Sequence, residues 1–278
     1  MLQLGIVADE ISRNFREAVT VGLQVGIRRY EIRFLQSGRA PVCDESELRE
    51  IDSICDGEGV EITALSPGLF KWTESQEKFH HEMTEIFPRA VDLANRWKLS
   101  SLIVFGFCKP GATEAIADTL PRGNPPAWVI EALTMATEQA VNASLRLLIE
   151  PEPVCWADTG MTAVNLLKQV NSPALGLNYD PCNDAWTLRR DPLADFDELA
   201  AHIANVHIKD QFDAPLGSGM PTWVVPGSGM LDWRGHLHAL KRIGYVGPIS
   251  LEPHMDGNLE TIRRCRNAVE QLWGEVGG

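Results

Sequence analysis

RLLIEPEP, residues 146–153, carries a short apolar run that ends on a carboxylate, Glu150, and is then broken by Pro151. An apolar run bounded in this way reads as a strand buried on both faces, the form taken by strands of a parallel sheet. Toward the C-terminus the same design recurs three times: LGLNYD (175–180) stops at Asp180, IANVH (203–207) at His207, and PISLE (248–252) at Glu252. The carboxyl end of a parallel strand is where α/β folds place their chemistry. Two glutamates, an aspartate and a histidine at that position offer the mixed oxygen and nitrogen donors that suit one divalent cation, Mn, Mg, Zn or Co.

Toward the N-terminus four further β-rich runs appear: LQLGIV (2–7), RRYEIRF (28–34), VEITALS (60–66) and SLIVFG (101–106). Helical patterns alternate with all eight runs, over residues 12–25, about 44–58, 75–97, 128–144 and near 160–171, 193–203, 233–243 and 258–273. Eight βα units without a linker-like stretch predict a single domain over 1–278, a closed α/β barrel of the (β/α)8 TIM type, since an open sheet of that size would leave edges to protect. A doubly wound open sheet is the alternative, but the first strand-to-helix turn, ADEISRN (8–14), lacks the glycine fingerprint of dinucleotide folds.

Composition narrows the partners. The formal charge of −13 repels polyanions, which argues against nucleic acid. No stretch approaches the roughly 20 apolar residues of a membrane span. The opening MLQLGIVADEI lacks a basic leader region, and the six cysteines form no C-x-x-C pair, so reduced thiols and a cytoplasmic location are expected. A small-molecule substrate is the expected partner, with a homo-oligomer possible.

IEPEP, NYDPCN, VHIKD, the glycine loop VPGSGMLDW and SLEPH together resemble the sugar phosphate isomerase/epimerase family, the xylose isomerase-like TIM barrels. That group contains ketose 3-epimerases, hydroxypyruvate isomerase, inosose dehydratase and the multi-zinc endonuclease IV enzymes. The resemblance implies a single metal held by Glu150, Asp180, His207 and Glu252, with Glu150 and Glu252 also the acid/base pair. It implies an isomerase or epimerase of a small sugar, keto sugar or related hydroxy-carbonyl compound, working through an enediolate. A dehydratase of the inosose or dehydroshikimate kind is the alternative, and a non-catalytic sugar-binding barrel a further one.

Departures from the family pattern limit what carries over. Ketose 3-epimerases have a histidine where this chain has Asn183, an arginine at Asp213 and a glutamate at Trp156. The extra zinc ligands of the endonucleases are replaced by Ser66, Pro67, Phe105, Gly106 and Asn183, which argues against a DNA-repair role.

Four more residues are expected to touch substrate: Asn183, Lys209, His254 and Glu31. Each has a structural alternative. Asn183 could close the DPCN turn, Lys209 pair with Asp210 or Asp213 at the rim, and Glu31 pair with Arg33 or Arg29. The stretch Gly217–Gly229 reads as a flap or rim loop. Trp72, Trp186, Trp223 and Trp233 are candidates for an aromatic wall, with at least half of them expected to be packing residues.

Overall fold

A computed structural model describes residues 2, 4–120, 122–212 and 220–277. Among these residues ten strands follow in chain order: β1 (Leu4–Val7), β2 (Arg29–Ile32), β3 (Glu61–Leu65), β4 (Ser101–Phe105), β5 (Arg146–Glu150), β6 (Leu175–Tyr179), β7 (Ile203–Ile208), β8 (Asp210–Phe212), β9 (Thr222–Val224) and β10 (Ile249–Leu251). Eight of them form one sheet in the order β3-β2-β1-β10-β7-β6-β5-β4. Every pairing in that sheet is parallel.

The sheet curls into a nearly closed TIM barrel. Where β3 and β4 meet, the N–H of Phe105 donates to the carbonyl of Leu69, in the loop beyond β3, at 3.0 Å. Alternation along each strand divides its side chains between the interior and the helix layer. Along β7 and the residue that follows it, Asn205, His207 and Lys209 share one side, and Val206 and Ile208 the other; all five are buried.

The helices follow the sequence reading, except that the 75–97 pattern widens into a π-helical turn over Glu82–Ile86 and two other segments differ. The pattern near 193–203 resolves into three short turns spanning Leu193–His202, because Pro192 and the acidic Asp195 and Asp197 leave too little apolar periodicity for one long helix. The DPCN segment, where Asp180 could be a helix cap or a turn residue, opens a helix, Pro181–Leu188: Asp180 caps it by accepting from the N–H groups of Cys182 and Asn183, with proline at the first position.

The expected rim loop after β7, Gly217–Gly229, is described from residue 220 onward. Residues 217–219 lie outside the described part, but β8 and β9 pair as an antiparallel hairpin. Beyond it, the carboxylate of Asp210 accepts from the N–H groups of Gln211 (2.8 Å), Gly227 (2.9 Å), Gly229 (2.9 Å) and Leu231 (3.3 Å). A Cβ at Gly229 would stand 2.3 Å from Asp210 Oδ1, so the close approach requires glycine there.

Candidate metal centre and pocket

The four strand-end residues converge. Glu150 ends β5, Asp180 follows β6, His207 lies in β7 and Glu252 follows β10. Each offers a ligand atom, and these atoms all lie within 4.8 Å of one another on buried side chains. Register explains the convergence. Ser250 pairs with His207 and Leu251 with Ile208, and Glu252 N–H donates to the Ile208 carbonyl at 3.0 Å, which brings Glu252 level with Lys209. Irregularities at Leu177/Asn178 on β6 and Tyr30/Glu31 on β2 sit beside Asp180 and Glu31. Such bulges re-aim the side chains next to them.

His207 is held from both sides. Its Nε2 lies 2.9 Å from Glu31 Oε2, while Nδ1 lies 3.2 Å from Glu252 Oε2 and 3.5 Å from Glu150 Oε1. Glu31 therefore partners His207, not Arg33 or Arg29, and its buried Oε1 has no hydrogen-bond partner. Asn183 donates to the Pro151 carbonyl at 2.9 Å and more weakly to Glu150 Oε1 at 3.4 Å, so its amide fixes the glutamate.

Lys209 is fully buried and reaches inward. Its Nζ lies 2.5 Å from Asp180 Oδ2 and 2.6 Å from Glu252 Oε2. The alternative rim pairing with Asp210 is not formed, since Asp210 is spent on the backbone of the loop, and Asp213 lies outside the described residues. The other oxygen of Glu252 accepts from Arg33 Nη1 at 2.5 Å, and Arg33 also pairs with Asp9 (3.0 Å) and Glu10 (2.7 Å). His254 Nδ1 meets Glu10 at 2.9 Å, and its Nε2 stands 3.6 Å from Glu252 Oε1.

The field in this cluster favours positive charge. Burial opposes protonation of His207, but Glu31, Glu150 and Glu252 outweigh it and push the imidazole well above its ordinary value. Burial likewise tends to raise Glu252, yet Lys209, His254 and His207 hold it well below the usual carboxylate range. Asp180 is raised, by burial first, with Glu252 and Glu150 opposing the effect of Lys209. Three inward carboxylates and one imidazole, hard donors in a buried concave site, fit a divalent cation in donor type and number.

Above the cluster opens a cavity of about 500 Å³. Trp186 and Trp223 line it, as do His254, Asn183, Lys209 and Glu31. Trp223 packs edge-on against His254 with ring centroids 4.9 Å apart. Trp233 instead is buried in the core and donates to the Lys209 carbonyl, and Trp72 stands 44% exposed. Trp156 is not among the residues that line the cavity.

Sequence reading missed Asp9, Glu10, Arg33, Arg39, Lys71 and Glu152, which also face the cavity. Their partners come from elements distant in the chain, so spacing does not reveal them. Alternation did hold one signal: Arg33, just past the end of β2, shares a side with Glu31.

Residues 21–272 of the chain match the model of one family, described as the xylose isomerase-like TIM barrel. The chain belongs to that family. It is 27% identical over 220 residues to a 3-dehydroshikimate dehydratase of Pseudomonas putida, an alignment that covers 75% of this xylose isomerase-like barrel and 32% of that enzyme. The barrel thus spans about a third of its curated relative's length. Among solved structures, the IOLI protein with a bound zinc atom is similar at a TM-score of 0.75 and 17% identity, covering 99% of each chain. An L-ribulose 3-epimerase is similar at 0.73 and 17% identity, covering 99% of this chain and 96% of that one. Among the described residues, no helix is long and apolar enough to cross a membrane.

Proposed function

We propose that this barrel is a divalent-cation-dependent enzyme that isomerises or epimerises a small hydroxy-carbonyl compound by removing the proton beside the carbonyl. The observation that carries the reading is the unequal engagement of the two glutamates. Both oxygens of Glu252 are taken up by cations, Arg33 on one side and Lys209 on the other, whereas among the described residues Glu150 has within contact distance only His207 and the long contact from Asn183.

Glu150, Asp180, His207 and Glu252 would hold the ion. When bound, it supplies Lewis acidity that stabilises negative charge developing on a carbonyl oxygen. Glu150 is the freer carboxylate and takes the proton. Glu252, expected from the resemblance to be its acid/base partner, serves instead to hold Lys209. Lys209, whose Nζ bridges Asp180 and Glu252, returns a proton from its ammonium. A base and an acid on separate side chains suit proton return at the opposite face or at the neighbouring carbon.

A second reading, loss of a β-hydroxyl, is favoured by the same ammonium, which can protonate a departing hydroxyl, and by the similarity to a dehydratase. The test is solvent exchange in D2O with the metal-loaded protein and a panel of small ketoses and hydroxy-keto acids. Metal-dependent deuterium incorporation that vanishes in Glu150→Gln, with an isomer of unchanged mass, supports the first reading. Loss of water points to the second, and no metal-dependent exchange on any compound overturns both.

A further inference from the structure

We propose that Arg39 forms an anion-binding subsite in the pocket wall, so that the substrate of this site carries a carboxylate or phosphate group remote from its reacting carbonyl. The proposal deepens the functional reading above and rests on the pocket being a substrate site.

The cations that line the cavity differ in how their charge is compensated. Arg33 meets three carboxylates, Lys209 meets Asp180 and Glu252, Lys71 meets Glu152 at 3.2 Å and Glu114 at 3.9 Å, and His254 meets Glu10. Among the described residues, Arg39 has no carboxylate within ion-pair distance. Its Nε donates to the Ser66 carbonyl at 3.1 Å and its Nη2 to Ser66 Oγ at 3.0 Å. These are neutral acceptors, which leave a guanidinium with donors to spare. Burial, and then the neighbouring Arg33, lower its pKa to about 10 against the longer-range attraction of Glu150, Asp9 and Glu152, none of which reaches ion-pair distance.

The backbone is built around this side chain. Gly68 has φ +81°, and a Cβ there would stand 2.6 Å from Arg39 Nε. Phe34 and Phe105 flank the guanidinium, with Cζ 4.8 and 5.9 Å from their ring centroids. Lys71 Nζ stands 5.4 Å from the same Phe105 ring. Phe105 pairs in register with Glu150, so this cationic wall adjoins the side of the cluster where the freer glutamate lies. Neighbouring strands are about 4.8 Å apart, which lets one small molecule reach both. Guanidinium forks recognise carboxylate and phosphate alike, and the structure fixes the shared chemistry.

Binding without turnover separates this proposal from the catalytic one. Shikimate, its neutral methyl ester and inorganic phosphate are titrated into magnesium-loaded protein and followed by tryptophan fluorescence, since Trp186 and Trp223 line the cavity. Shikimate is expected to bind saturably, the ester to bind more weakly, and Arg39→Met to weaken the acid roughly tenfold to a hundredfold. Arg39→Lys should fall between the two and controls for folding. Phosphate binding lost in Arg39→Met, with no shikimate binding, supports the subsite and assigns it to a phosphorylated substrate. The subsite is overturned if neither anion binds, if the ester binds as well as the acid, or if Arg39→Met leaves anion binding unchanged. These outcomes stand whether or not any compound exchanges its proton.

Discussion

His207 and Glu31 meet across the barrel interior: Nε2 of the imidazole lies 2.9 Å from Oε2 of the glutamate, and both side chains are buried. That contact leaves Nδ1 facing Glu150 and Glu252, and so decides which nitrogen is presented to a cation. Carboxylates that hold a ligating histidine in this way typically contribute about 10- to 100-fold to metal affinity. Glu31→Gln should lower affinity for a divalent ion by that span while leaving the circular dichroism spectrum intact, as isothermal titration would show.

Lys209 sits among the candidate ligands as a competing positive charge. Replacing it with methionine removes that charge, so Lys209→Met should bind a divalent cation at least as tightly as the wild type. Turnover on any substrate identified by exchange should fall about 10²- to 10⁴-fold if the ammonium returns the proton. Metal affinity that falls with turnover would show a role in building the site instead.

Asp210 binds four backbone N–H groups of the loop beyond β7. Hydrogen bonds to a charged group contribute about 1.5–3 kcal/mol each at most, and they share one carboxylate. Asp210→Ala should therefore speed amide exchange across residues 225–231 well beyond any change in the barrel strands. Exchange mass spectrometry reads the difference directly.

The Asp191–His236 pair gives stability a pH dependence. Burial tends to raise Asp191, but His236, reached at 3.0 Å, and the N–H groups of Asp232 and Leu193 lower it overall. A carboxyl depressed in the folded state contributes stability above its unfolded pKa and loses that contribution as pH falls through the folded value. The stability gap between wild type and Asp191→Asn should thus be full near neutrality and close in acid, in urea melts over that range.

The thiols should be slow to react. Burial pushes Cys43, Cys55, Cys108 and Cys265 up to about 11, and Cys155 and Cys182 higher still. At pH 8 the folded chain should titrate sluggishly with a thiol reagent, and all six cysteines should react promptly in guanidinium.

The barrel was legible because each parallel strand is an apolar run and its end is marked by a polar residue, often with proline behind it. The convergence of Glu150, Asp180, His207 and Glu252 was legible for the same reason, since strand ends in a barrel share one rim. What surrounds them was not. Arg33 binds Glu252 across 219 positions of sequence, and Arg39 reaches Ser66 across 27. Such pairings depend on which strands are neighbours and on side-chain direction, neither of which spacing encodes. Lys209 was placed on the correct side of its strand, but its partners were set by the register of β7 against β10. At Asp180 the sequence offers a helix cap or a turn, because an aspartate followed by proline fits both.

The central claim is that the four strand-end residues bind one divalent ion. Metal content after loading and desalting, measured by plasma mass spectrometry, tests it in the wild type, Glu150→Gln and His207→Gln. The account predicts one ion per chain in the wild type and a large loss in both variants with the fold retained. Full metal content in both variants, at unchanged affinity, would contradict it.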